Sequence, residues 1–119
     1  MANLSRVFKA LDAVTATGAG SVFAFDAPKV MHLSVQIECT GAPTTVKVQV
    51  EQSLDGVNFH EMVGFELAAP ATPPSAGFLS NISHGAIVVA IRANLVTLTG
   101  GASPTVTVTF GMVDAGDTF

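Results

Sequence analysis

The chain has no tryptophan, no tyrosine and a single cysteine, and only 12% of its 119 residues are charged. One cysteine, Cys39, excludes an intramolecular disulfide and a thiolate metal cluster, so stability has to come from packing. Without Trp or Tyr the usual platform for stacking sugar rings is missing, which argues against a glycosidase cleft and a typical carbohydrate-binding module. The basic residues Arg6, Lys9, Lys29, Lys47 and Arg92 are scattered, so no basic face is available to neutralise phosphates and no nucleic-acid partner is expected. No apolar window approaches the roughly 18 residues of a membrane-crossing helix, so no membrane partner is expected either. Met1 to Lys9 lacks the apolar region of a secretory signal.

What is present is apolar and β-like. Hydrophobic residues make up 49% of the chain, eight Phe supply all the aromatic bulk, and the net charge is −4. The length fits one domain with a modest single core. So few charges leave a surface of Thr, Ser, Gly and Ala with some apolar side chains, a composition that implies partial burial in an assembly, the alternative being a soluble monomer coated in Thr and Ser.

Period-2 alternation carries the strands. Leu33, Val35 and Ile37 alternate with His32, Ser34, Gln36 and Glu38, and Val46, Val48 and Val50 alternate with Lys47, Gln49 and Glu51. Thr40-Gly41-Ala42-Pro43 reads as the turn that joins these two strands into an antiparallel hairpin, with Lys47 near Glu38 or Gln36. Asp55-Gly56 is a second turn signal, leading into a strand from about Asn58 to Leu67. Val22 to Phe25, Ala86 to Leu95 and Thr105 to Phe110 read as further strands, and Asp26-Ala27-Pro28 and Asn81 to Gly85 as turns. The Pro-rich stretch Ala68 to Gly77 has to lie outside the sheets. About six to eight short strands without a long helix define an all-β chain, an antiparallel β-sandwich or flattened barrel, with jelly-roll and immunoglobulin-like strand orders both open. The domain reading is an N-terminal arm and flexible connection over residues 1–21, a β-sandwich over 22–113 and a tail over 114–119.

Candidate chemistry is sparse. His32, His60 and His84 lack the spacing of a helical zinc motif, so no metal site is expected. Asp55, Asn58 and Glu61 offer oxygens, but Asp and Asn are also ordinary turn formers. Cys39 has no neighbouring base or cation in the sequence and reads as an inert thiol. Glu51, Glu61 and Glu66 lack the stacking cleft that a carboxylate pair would need. There is no G-x-S-x-G elbow and no phosphate-binding glycine motif. The chain therefore reads as non-enzymatic, with no catalytic residue, no cofactor and no small-molecule ligand expected.

Two segments carry a family resemblance. Ser53-Leu54-Asp55-Gly56-Val57-Asn58-Phe59 resembles the S-L-D-G-x-N-W hairpin of small β-rich structural proteins of tailed bacteriophages. Ile91-Arg92-Ala93-Asn94-Leu95, then Thr97 to Gly101, then Thr105-Val106-Thr107-Val108, is similar to the V-R-A-x-L, L-x-G-G and T-V-T ending of the same proteins. The resemblance spans about Val30 to Phe110 and departs at Phe59, where Trp is usual. It implies a virion component, made in the bacterial host cytoplasm: first a capsid decoration protein that stabilises the assembled shell, alternatively a tail- or baseplate-associated protein. A sugar-binding or adhesin-like module is the reading from another class. The implied partners are the major capsid protein and further copies of the chain, a trimer being expected from the threefold sites of shells. Leu4, Val7, Phe8 and Leu11 are the candidate assembly contacts, on an arm that grips the lattice or, equally, as a first strand of the sandwich. On the arm reading, deleting Met1 to Leu11 abolishes assembly and leaves the core folded.

Overall fold

A computed structural model of the chain describes residues 5–68 and 76–114. It is an all-β protein, and no helix occurs among the described residues. The strands are β1 (Ser5–Val14), β2 (Gly18–Ala19), β3 (Phe23–Thr40), β4 (Thr45–Ser53), β5 (His60–Ala68), β6 (Ala76–Thr99) and β7 (Thr105–Asp114). All pairings are antiparallel, in the order β1-β7-β3-β6-β4-β5, with β2 also on β6.

Two strands are too long to be straight. At about 3.3 Å per residue, the 24 residues of β6 would extend ~79 Å. The longest dimension of the molecule is 48 Å, and the thinnest is 18 Å. Both β3 and β6 therefore bend and serve two layers. One layer holds β5, β4 and the C-terminal half of β6; the other holds β1, β7, the C-terminal half of β3 and the N-terminal half of β6. Strands that change layer do so through bulges or bends. Here the β3–β6 register slips between Ala24 and Lys29, and again between Lys29 and Met31. Asp26-Ala27-Pro28 sits at that slip, inside β3, rather than forming the expected turn. Pro28 has no N–H for a ladder, and an irregular point of the pairing is where proline can be accommodated. Asn81 to His84 likewise continue the β6 ladder, opposite Ser34 to Met31, and make no turn.

A second correction concerns β3 and β4. They flank the Thr40–Pro43 turn but are not paired: β3 lies between β6 and β7, and β4 between β5 and β6. The two apolar rows, Leu33, Val35, Ile37 and Cys39 on one side and Val46, Val48 and Val50 on the other, are buried in a single core across the layers. Lys47 stands opposite Glu66 and Thr97, not Glu38. At the far side of this crossover the β6–β7 turn docks on the β3–β4 turn. Ala102 N–H donates to the Gly41 carbonyl at 2.8 Å, and a side chain on Gly101, whose φ is +79°, would stand 2.4 Å from that oxygen. Only glycine suits that position.

Ile91, Ala93 and Leu95 of β6 and Val106, Val108, Phe110 and Met112 of β7 complete the core, with Ala10 and Leu11 of β1. Of the two alternatives for the N-terminal segment, Ser5–Val14 takes the first-strand one. It pairs with β7 from Ser5 opposite Val113 to Val14 opposite Val106, and the Ala10 carbonyl accepts the Ser21 N–H at 3.2 Å. Deleting residues 1–11 strips Leu11 from the core and uncovers β7. The expected result is a loss of at least ~3 kcal/mol in urea unfolding, not an intact core. An unchanged midpoint would restore the arm.

Candidate functional site

The centre of the chain builds a hydrogen-bonded surface feature, the β4–β5 hairpin. Ser53, 1% exposed, anchors it from the core side. Its hydroxyl accepts the N–H groups of Asp55 at 3.2 Å and Gly56 at 2.8 Å, and donates to Asp55 Oδ1 at 2.9 Å. Asp55 Oδ1 also accepts the Val57 and Asn58 N–H groups at 2.8 and 2.7 Å, and Oδ2 accepts Asn58 Nδ2 at 2.8 Å. Gly56 completes the turn at φ +78°, in open space. Ser53, Asp55, Gly56 and Asn58 of the S-L-D-G-x-N segment thus each have a place in the network, and Val57 joins it through its backbone N–H, while the side chains of Leu54 and Val57 take no part. Those two are left 72% and 78% exposed at the tip.

Hydrogen bonds from Asn58 and Val57 hold the Asp55 carboxyl well below the usual carboxylate range. A depressed folded pKa contributes stability above the unfolded value, lost as pH falls towards the folded one. Asp55→Asn keeps an acceptor oxygen but no charge. Wild type is expected to melt above Asp55→Asn at pH 6, with the gap closing below about pH 4. A gap independent of pH in thermal melts would refute this.

Beneath the hairpin lies a cluster that sequence reasoning did not find. Glu51 and Arg92 are cross-strand partners, and Arg92 Nε donates to Glu51 Oε1 at 2.7 Å. Asn94 Nδ2 donates to Glu51 Oε2 at 3.2 Å. Glu51 is 8% exposed, the only buried charged residue among those described. The Arg92 guanidinium stands 4.1 Å from the centroid of the Phe59 ring. The two separate segments of the sequence resemblance therefore meet in space, the arginine of the second on the aromatic of the first. Phe in place of Trp keeps the aromatic face that a guanidinium needs.

The other sequence candidates are dispersed. Val7 is 79% exposed on β1; Phe8 is half-buried, 5.1 Å from the Phe23 ring and 6.5 Å from that of Phe110; Leu11 is in the core. Leu4 lies outside the described residues. Asp55 and Asn58 are joined, but to each other, while Glu61 is on β5 with an oxygen leaning over Gly64. His60 and Glu66 are exposed on β5, the outer strand of its layer. The side chains of His32 and His84 lie outside what is described. Cys39 is fully buried, and burial pushes its thiol pKa up. Among the described residues no three His, Cys, Asp or Glu side chains are grouped to share a metal ion.

This all-β sandwich with long shared strands recurs in viral proteins. The SPBc2 prophage-derived protein YomS superposes with a TM-score of 0.61 at 15% identity, over 96% of each chain. A structure of infectious bursal disease virus, Gx strain, gives 0.64 at 8% identity over 98% of this chain and 33% of the viral one. The T13 viral particle of the same virus gives 0.54 at 14% identity over 94% and 31%, so this chain spans about a third of those viral chains. No protein-family model and no curated protein matches the sequence. At these identities the likeness is one of fold.

Proposed function

We propose that this chain is a non-enzymatic structural protein of a bacteriophage virion, and specifically a capsid decoration protein that binds and stabilises the assembled shell. The observation that carries this reading is the end-to-end correspondence with YomS, a prophage-derived protein of the same size and fold. The sequence resemblance to phage β-rich structural proteins supports it from an independent direction. So does the partial match to chains of a virus particle, although those are three times longer.

The physical character of the surface fits assembly by contact. Val7, Leu54 and Val57 are the most exposed large apolar side chains, and charge is scarce. A protein that binds the completed lattice and not its dissociated subunits shifts the assembly equilibrium by mass action. Repetition of weak contacts by symmetry multiplies the effect. Its partners in this reading are the major capsid protein and two further copies of itself around a threefold site.

Immunogold electron microscopy of purified particles, with antibody against this chain, tests the proposal. Label spread over the shell is the expected result. Label confined to the tail or baseplate would replace decoration with the tail-associated role, and unlabelled particles would overturn the virion reading.

A further inference from the structure

Asp55-Gly56 is the only Asp-Gly in the chain, which has no Asn-Gly, and so is its junction most prone to spontaneous backbone rearrangement. In an unstructured chain the glycine amide nitrogen attacks the aspartyl Cγ; a C–N bond forms, a C–O bond breaks, and water leaves. The resulting five-membered imide takes water back at either carbonyl, giving aspartate again or isoaspartate. No oxidant or other reactant is needed. The attack requires a free glycine nitrogen and a carboxyl able to lose a hydroxyl as water, which an ionised carboxylate does poorly.

The hairpin withholds both. The Gly56 N–H is given to the Ser53 hydroxyl at 2.8 Å, and Ser53 is itself buried. The Asp55 carboxylate accepts four hydrogen bonds, from the Ser53 hydroxyl, the Val57 and Asn58 amides and the Asn58 side chain. Bonds to the charged form favour that form, and together they fix the side chain away from free rotation. Steric cover plays no part: a Cβ on Gly56 would meet no atom within 4 Å. The same residue that makes the turn possible is thus the one that leaves the junction open to attack.

We propose that Asp55 is a latent isoaspartate-forming site which the Ser53–Asp55–Asn58 hydrogen-bond network keeps closed in the folded protein. Isoaspartate formed once this network opens would insert a methylene into the backbone at the tip that displays Leu54 and Val57. The inference is independent of where the protein sits in a particle.

The test follows isoaspartate at position 55 by peptide mapping with mass spectrometry during incubation at neutral pH. Samples are the full chain, a synthetic peptide of residues 52–59, and the Ser53→Ala and Asn58→Ala variants. The full chain is expected to convert at least about tenfold more slowly than the peptide, and each variant at least about fivefold faster than wild type, as expected for the loss of one hydrogen bond in Asn58→Ala and of three in Ser53→Ala. Far-UV circular dichroism identifies a variant that has unfolded. Should Ser53→Ala unfold, Asn58→Ala, whose side chain is exposed, decides. Wild type converting at the peptide rate, or folded variants converting no faster than wild type, would overturn the proposal.

Discussion

Phe110→Ala should lower the unfolding free energy by about 3–5 kcal/mol, the usual range for emptying a buried aromatic site. Phe110 is 0% exposed and the largest fully buried side chain. It lies on β7, between Phe8 of β1 and Val35 of β3 in the register, with the Phe8 ring 6.5 Å away. β-strands pinned on both sides cannot close in on the void, so the transfer cost and the cavity cost add. Against a total of ~5–15 kcal/mol for a domain, the loss is a large fraction. It should appear as a drop of roughly 10–25 °C in melting temperature. Val7→Ala, on the exposed side of β1, should leave the melt within about 0.5 kcal/mol of wild type. Equal effects of the two would mean that β7 does not form the centre of the core.

Which parts of this fold could be read from sequence follows from where the information is local. Alternation told which side chains of Leu33–Ile37, Val46–Val50 and Val106–Phe110 point inward, because a pleat has period two whatever its neighbour. Alternation does not say which strand is the neighbour. β3 and β4 are adjacent in sequence and their apolar rows match, so pairing them was the natural expectation; packing the rows face to face across a sandwich satisfies the same pattern. Asp26-Ala27-Pro28 and Asn81 to Gly85 misled for a different reason. Their turn chemistry is real, but a ladder of residues on either side can carry the chain through it, by a register slip in the first case and, in the second, by pairing that is continuous over Asn81 to His84 and slips only beyond His84. The first eleven residues were ambiguous in period, and the partner of Ser5–Val14, β7, lies at the other end of the chain.

The site divides along the same line. The network of Ser53, Asp55, Gly56 and Asn58 spans a few consecutive residues, so the turn itself was legible. The cluster below it joins residues 41 and 43 positions apart. Glu51 read as one more polar residue on an outward face, and Arg92 as a scattered cation. Only the β4–β6 register, which sets Glu51 opposite Arg92, brings them together. The available hint was that Arg92 and Phe59 both fall within the two resembling segments.

That cluster carries the second large prediction. Arg92→Met keeps most of the apolar stem but leaves the Glu51 carboxylate with Asn94 as its remaining hydrogen-bond donor among the contacts described. Removing one partner of a buried pair typically costs 3–5 kcal/mol, because the other charge stays desolvated. With the Arg92 and Glu51 side chains 29% and 10% exposed, solvent screening lowers this to about 2–3 kcal/mol by urea denaturation. Arg92→Lys retains charge but loses the flat guanidinium over Phe59 and its fixed N–H geometry, and should cost about 1 kcal/mol. The Glu51→Gln/Arg92→Met pair, which leaves no charge to strand, should recover about half of the single-variant loss. If Arg92→Met and the double variant are equally destabilised, the cluster acts through packing of Arg92 on Phe59 and not through the ion pair. If neither is destabilised, the hairpin stands on its own turn network, and the meeting of the two resembling segments has no energetic weight.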